Sequence, residues 1–247
     1  FELQRLYQEQ LAAQVADTRL AAHDRNAAAA VLAASRRLMG VMLRPDEEHR
    51  TWVFSDPHFR DEASVAVFGR PFRSAHHGDG YLLELWTHDV RDQDTVLCLG
   101  DVTIDRPPDY LIDHIRRRPG RKILVPGNHD HAHIRRLRRA FNEVAACAHL
   151  PGKPHLLLTH VPLDDVPAGC VNVHGHVHRK TSVDEHRINV CVEQIGYQPI
   201  PMADVRRLAC RLNKAPLGGA GTTDLFIDWA KGWRDAAKIG AQEDDAP

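Results

Sequence analysis

Long apolar runs are missing from the 247 residues. No stretch approaches the ~18 consecutive apolar positions of a membrane span, so no membrane role is expected. A charged-then-apolar leader is missing too, although the chain begins at Phe1 rather than Met, and the expected location is the cytoplasm. Cysteine is scarce. Cys98, Cys147, Cys170, Cys191 and Cys210 make an odd number with no Cys-x-x-Cys pair. That argues against a disulfide framework, and they read as small buried hydrophobes. Excess charge is absent: 32 basic and 33 acidic side chains leave a net charge of -1, and this balance alone does not point to nucleic acid. Aromatics are only 6%.

What is present is ordinary for a soluble globular chain, with 43% hydrophobic and 26% charged residues, and it is long enough to bury a core without staples. The abundance of Arg over Lys and of Ala reads as a sequence-wide bias. Histidine is the exception. It reaches 17, and several of these fall in short clusters.

Three regions are expected: a helical N-terminal extension (1–48), a central domain (49–213), and a linker with a C-terminal helix and acidic tail (214–247). Over 1–43, apolar residues recur at three- and four-residue spacing, as at Leu3, Leu6, Tyr7 and Leu11, then Val31, Leu32, Leu38, Met39 and Met42, which predicts helix. Asp24 or Asn26 can cap a second segment, and Arg44-Pro45 ends the pattern. This stripe must pack on the domain behind it or on a second copy, so a homodimer through these helices is a candidate. From 51 onward, short apolar runs predict strands at 51–55, 95–99, 122–125, 156–158, 170–173 and 188–192, with helices at about 80–91, 109–118, 131–144 and 204–213. Alternating strands and helices predict an α/β (mixed α+β) fold. Residues 217–221 read as a linker, 224–239 as a helix and 242–247 as an acidic tail.

The apolar runs end in polar residues. The first ends in Ser55-Asp56-Pro57-His58, the second in Gly100-Asp101, the third in Gly127-Asn128-His129-Asp130. The fourth ends in Thr159-His160, the fifth in His174-Gly175-His176-Val177-His178. Taken singly, most of these are turn chemistry: Asp, Asn and Gly favour turns, and one histidine is more often structural than a ligand. His-x-His-x-His is stronger, because alternate rings on an extended chain share a face and crowd unless something binds them. Five successive strands delivering Asp, Asn or His at the carboxyl edge, where α/β folds place their sites, reverse the preference. Carboxylate, amide and imidazole without thiolate suit Mn²⁺, Fe, Zn²⁺ or Ni²⁺. The donors are too many for one ion. Two ions ~3.5–4 Å apart, sharing a carboxylate, form a known clamp for displacement at phosphorus.

Asp56-x-His58, Gly100-Asp101, Gly127-Asn128-His129-Asp130, His160 and Gly175-His176-x-His178 resemble, in order, the five motifs of the calcineurin-like metallophosphoesterases, over roughly 51–205. Arg70-Pro71-Phe72 and the run Asn189-Val190-Cys191-Val192-Glu193 resemble a small bacterial and phage branch. The resemblance implies a four-layer α-β-β-α sandwich carrying two divalent ions, with manganese favoured. It implies Asp56, His58 and His178 on the first ion, Asp101 bridging, and Asn128, His160 and His176 on the second. It makes His129 catalytic, facing the scissile phosphate, with Asp130 orienting its ring. The implied reaction is hydrolysis of phosphomono- or phosphodiesters by a metal-bridging hydroxide. A phosphate-ester substrate is the expected partner, with nucleotide or nucleic acid among the candidates. A nuclease or end-processing phosphodiesterase, a mononuclear hydrolase and a silent scaffold on the same fold are the alternatives.

The chain departs from that branch at Phe59-Arg60-Asp61, where the branch often has Phe-Gly-His; Arg60 reads as surface or as a phosphate contact. His174 is an extra histidine, read as structural or as a group behind the ligands. Two basic runs, Arg116-Arg117-Arg118 with Arg121-Lys122, and Arg135-Arg136 with Arg138-Arg139, read as solvated helix faces in an Arg-biased chain. No aromatic platform is interleaved with them.

Overall fold

In the computed structural model, which describes residues 2–180 and 186–212, the chain opens with helices α1 (Glu2–Ala16) and α2 (Ala22–Ser35). Strand β1 (Val41–Met42), a 3-10 segment (Pro45–Arg50) and β2 (Thr51–Phe54) follow. Next come α3 (Glu62–Val67), α4 (Ala75–Asp89), β3 (Thr95–Cys98), α5 (Asp109–Arg117) and β4 (Arg121–Leu124). A 3-10 turn (His131–His133) leads into α6 (Ile134–Leu137), β5 (Glu143–Val144), β6 (Ala148–Leu150), β7 (His155–Leu158) and β8 (Cys170–His174). The described part closes with β9 (Arg187–Asn189), α7 (Val192–Ile195), β10 (Ile200–Pro201) and α8 (Met202–Leu212).

The strands form two five-stranded sheets, ordered β10-β2-β3-β4-β5 and β1-β6-β7-β8-β9. In the first, β2, β3 and β4 are parallel and nearly flush, with Phe54 opposite Cys98 and Cys98 opposite Leu124. In the second, parallel β7, β8 and β9 set Leu158 against Val173 and Val173 against Ile188. Flush parallel strands end together, so the polar residues that follow each run emerge on one edge. A lone bridge between Ser55 and Cys191 ties the two sheets at that edge.

Side-chain alternation distributes the apolar runs between two faces. Leu156 and Leu158 enter the core between the sheets, and Leu157 points outward to meet the buried Leu3, Tyr7, Leu11, Val31 and Leu32 of α1 and α2. On the outer face of the other sheet, Trp86 of α4 sits edge-on to Phe54 at 5.3 Å, with Ile112 and Ile115 of α5 in the same core. The result is a four-layer α-β-β-α sandwich. The N-terminal stripe is therefore packed on the chain's own sheet, and α1 and α2 supply its outer layer.

Several elements differ from their sequence patterns. Helix ends at Ser35 rather than near 43, because Val41 and Leu43 donate their N–H groups to Cys147 and His149 and join the sheet edge. Helix α4 begins at Ala75, five residues early, capped by the Ser74 hydroxyl, which accepts from the His77 N–H; Gly78 and Gly80 mask its propensity. Only Ile134–Leu137 of the expected 131–144 helix is α-helical. Asn142 then bonds the backbone of Lys122 and turns the chain into edge strand β5. The expected strand 188–192 stops at Asn189, whose side chain accepts from the Cys191 N–H and starts the turn into α7. The expected linker 217–221, helix 224–239 and tail 242–247 lie outside the described residues.

Candidate metal centre

The loops after β2, β3, β4, β7 and β8 are stitched together by their backbones. Asp56 N–H donates to the Gly100 carbonyl, His58 N–H to that of Asp101, and Gly175 N–H to that of His160. The approach is close enough to demand glycine: a Cβ on Gly127 would lie 2.1 Å from Asp101 Oδ1, and one on Gly175 2.0 Å from Ser55 Oγ. Five of the seven proposed ligands, Asp56, His58, Asp101, His176 and His178, hold positive φ between 48° and 71°. Non-glycine residues pay for that conformation with strain, and it persists where surrounding structure imposes it, commonly at functional sites.

Two groups result: Asp56, His58 and His178, and Asp101, His160 and His176, the ligand atoms within each lying inside 4.8 Å of one another. Asp101 Oδ2 links them, 3.6 Å from His58 Nε2 and 3.6 Å from His160 Nε2. Asp56 Oδ1 lies 3.9 Å from His58 Nε2 and 3.7 Å from His178 Nε2. Such gaps are too long for hydrogen bonds. They suit atoms that share a cation at metal–ligand distances of ~2.0–2.2 Å.

The hydrogen-bond pattern gives the same answer. Asp56 Oδ2 accepts from Ser55 Oγ (2.6 Å), His176 N–H (2.8 Å) and Cys191 Sγ (3.3 Å), while Oδ1 is buried with no hydrogen-bond partner, as are both ring nitrogens of His58. The His160 Nδ1–H donates to the Leu99 carbonyl at 2.7 Å. Its Nε2 faces Asn128 Oδ1, 3.1 Å away, and Asp101 Oδ2, 3.6 Å away. The three atoms converge where a cation would be shared. The residues fit two divalent ions with oxygen and imidazole ligands.

Electrostatics follows from burial. Burial and then the Asp56 charge push the Asp101 carboxyl well above the usual range. For Asp56 burial also pushes upward, but the surrounding imidazoles, His160 foremost, prevail and hold it well below. Burial lowers the His176 ring to about 3, and the half-buried His129 ring to about 4 with help from His58 and His160. Both rings are neutral at pH 7 and free to offer lone pairs or N–H groups.

His129 donates its backbone N–H to Asp101 Oδ1 at 3.0 Å, and its ring stands 5.4 Å from that of His58, at the mouth of the site. Asp130 corrects the role implied for it. Its carboxylate is fully buried and spent on three backbone N–H groups, of Asp101, Val102 and Gly127, at 2.8–2.9 Å. It clamps the Asp101 loop to the Gly127 loop and has no bond to the His129 ring among the described residues.

Two segments flagged only as branch markers meet here. Glu193 lies 3.3 Å from His178 Nδ1 and accepts from Arg70 Nε (2.9 Å) and Nη2 (2.7 Å). Arg70 also donates to the carbonyls of Asp56 and Pro57. Phe68, which carried no sequence signal, stacks on the His178 ring at 3.6 Å and 14°. The carboxylate behind His178 fixes its tautomer, directing the Nε2 lone pair at Asp56 Oδ1. Arg60 is not in this cluster; its guanidinium lies 5.5 Å from the Tyr110 ring centroid.

The chain is similar to known proteins. A sequence model of calcineurin-like phosphoesterases matches residues 49–194, more than half of the chain. The Gene 66 protein of Mycobacterium phage D29 is 31% identical over 191 residues, 64% of this chain and 94% of its own length. The uncharacterized protein MJ1445 of Methanocaldococcus jannaschii is 26% identical over 164 residues, 62% of this chain and 87% of its own. The crystal structure of a protein of unknown function, AQ665 from Aquifex aeolicus, aligns at 25% identity with a TM-score of 0.55, covering 64% of this chain and 98% of that one.

Proposed function

The chain belongs to the calcineurin-like phosphoesterase family, and from that premise we propose that it hydrolyses phosphoric esters with two divalent metal ions. The observation that carries this reading is the pair of ligand groups joined through Asp101 Oδ2. Asp56, His58 and His178 would hold one ion and Asn128, His160 and His176 the other, with Asp101 shared between them. Bound there, the ions acidify a water and neutralise charge on the phosphoryl oxygens.

The chain's own residues do the rest. The positive-φ loops hold the ligands in place before substrate arrives, so little reorganisation accompanies binding. His129, neutral at pH 7 and 39% exposed, offers a ring N–H toward a phosphate held at the mouth. It stabilises the charge that develops there by donating that hydrogen bond. Asp130 keeps the Asp101 and Gly127 loops in register beneath it. Manganese is the favoured metal, and the substrate a phosphodiester or phosphomonoester.

The test is His129→Ala assayed on an aryl phosphodiester with Mn²⁺, Ni²⁺, Zn²⁺ or Mg²⁺ added to stripped protein. Turnover is expected to fall by ~10²–10³-fold with two ions still bound per chain. Unchanged turnover in the variant, or none in the parent, removes the reading.

A further inference from the structure

Arginine gathers beside the site. Arg106 follows Asp101 by five positions, and Arg135, Arg136 and Arg139 follow the Asp130 loop. The fold brings these four and His133 to the walls of one open groove of about 340 Å³, with no carboxylate on its walls among the described residues. The walls come from two separate segments, both leading out of metal-site loops, and Arg136 Nε staples them by donating to the Pro107 carbonyl. His133 is four residues from His129, at most ~14 Å along the chain.

These arginines are not all neutralised. Asp109, exposed at the start of α5, lies 2.9 Å from Arg136 and 2.7 Å from Arg139. Arg106 and Arg135 are exposed and have no ion pair among the described residues. Four guanidinium groups around one groove against a single carboxylate leave a positive field that attracts a polyanion. Next to Asp109, Tyr110 is 54% exposed, and the Arg60 guanidinium sits 5.5 Å from its ring centroid. Tyr110 and Arg60 do not line the groove but stand beside it, Tyr110 being next in the chain to Asp109, whose carboxylate pairs with two groove arginines.

We propose that this groove binds the phosphodiester backbone of a single-stranded nucleic acid, with a base stacking at Tyr110 and Arg60, and leads the strand to the metal site. Its delivery of a substrate rests on the hydrolase reading; its binding does not. Guanidinium forks recognise phosphate oxygens in pairs. The openness of the groove suits a chain passing through rather than an enclosed nucleotide, and a stacking platform has no use for an acidic peptide.

The test is fluorescence anisotropy of the full-length, Mn²⁺-loaded protein with a labelled, hydrolysis-resistant phosphorothioate oligothymidylate. Affinity is expected to fall steeply with salt. Arg106→Ala with Arg135→Ala, both at exposed positions, is expected to weaken binding about tenfold or more at about 0.1 M salt and to flatten the log–log salt slope by about 1.4. Turnover of the aryl phosphodiester should be unchanged in this variant. Tyr110→Ala should weaken oligonucleotide binding but not binding of inorganic polyphosphate. Salt-independent binding, or a double variant that binds like the parent, overturns the proposal. So does polyphosphate binding as tightly as the oligonucleotide with Tyr110→Ala silent. A parent that binds in the expected way but hydrolyses no ester upholds the groove and removes only the hydrolase reading.

Discussion

At the scale of single residues, three of the candidate ligands have one occupied side and one free side. Asp56 Oδ2 takes three donors and leaves Oδ1 bare; His160 spends Nδ1 on Leu99; His178 faces Glu193 with Nδ1. Glu193 is the most exposed to experiment of these supports, because it acts on one metal group only. Glu193→Gln keeps the shape and removes the charge. It is expected to weaken metal binding at the Asp56 group by ~10–100-fold, so that stripped protein reloaded with limiting Mn²⁺ keeps one tight ion and one weak one. Isothermal titration resolves the two, and two unchanged sites would refute the supporting role. Arg70 and Glu193 stand in the sequence as parts of two separate branch motifs, but their meeting across 123 positions is not legible there. The candidate ligands are legible because Asp, Asn and His stand together at the ends of apolar runs. The left-handed backbone of five of them is not, since nothing in Asp or His announces a φ that packing imposes.

At the scale of elements, what could be read depended on length. The four-residue apolar runs of β2, β3 and β7 carry enough hydrophobic signal to stand out, and α5 runs from Asp109 to Arg117 close to its expected bounds. The two- and three-residue strands β1, β5, β6 and β10 have no periodicity to detect. They exist because a neighbouring strand offers free N–H and C=O groups. Helix α1 shows the converse: its stripe is plain in the sequence, but its partner is visible only in the fold. Leu11 is 1% exposed and lies in one cluster with Leu157 of β7 and Val161 of the loop after it, and the Tyr7 hydroxyl accepts the Val161 N–H at 3.1 Å, next to His160. Leu11→Ala is expected to cost ~2–5 kcal/mol in urea unfolding, with one cooperative transition for helix and sandwich together. A near-neutral Leu11→Ala, or a separate early transition, would show that the helix is an attachment and not a layer.

At the scale of the whole molecule, the candidate metal centre is a concentration of buried ionisable groups, and its balance sets how stability depends on pH. His174, His176 and His129 have ring pKa values lowered to about 4, 3 and 4, chiefly by burial. A group depressed in the folded state contributes stability that is full above its unfolded pKa of ~6.5 and is lost as pH falls toward the folded value. Acid therefore destabilises the metal-free protein from about pH 6.5 downward. Asp101 acts oppositely. Its folded pKa is raised, so its contribution is full below the unfolded value of ~3.9 and is lost as pH rises through the folded value. A cation at Asp101 reverses that loss by favouring the carboxylate, and binding it displaces the proton. Chelation is thus expected to lower Tm, and the gap between loaded and stripped protein to widen as pH rises from 6 to 8. Thermal unfolding with and without chelator across that range checks it. A gap that stays constant or narrows toward pH 8 would mean that Asp101 does not face a cation, and with it the link between the two ligand groups would fail.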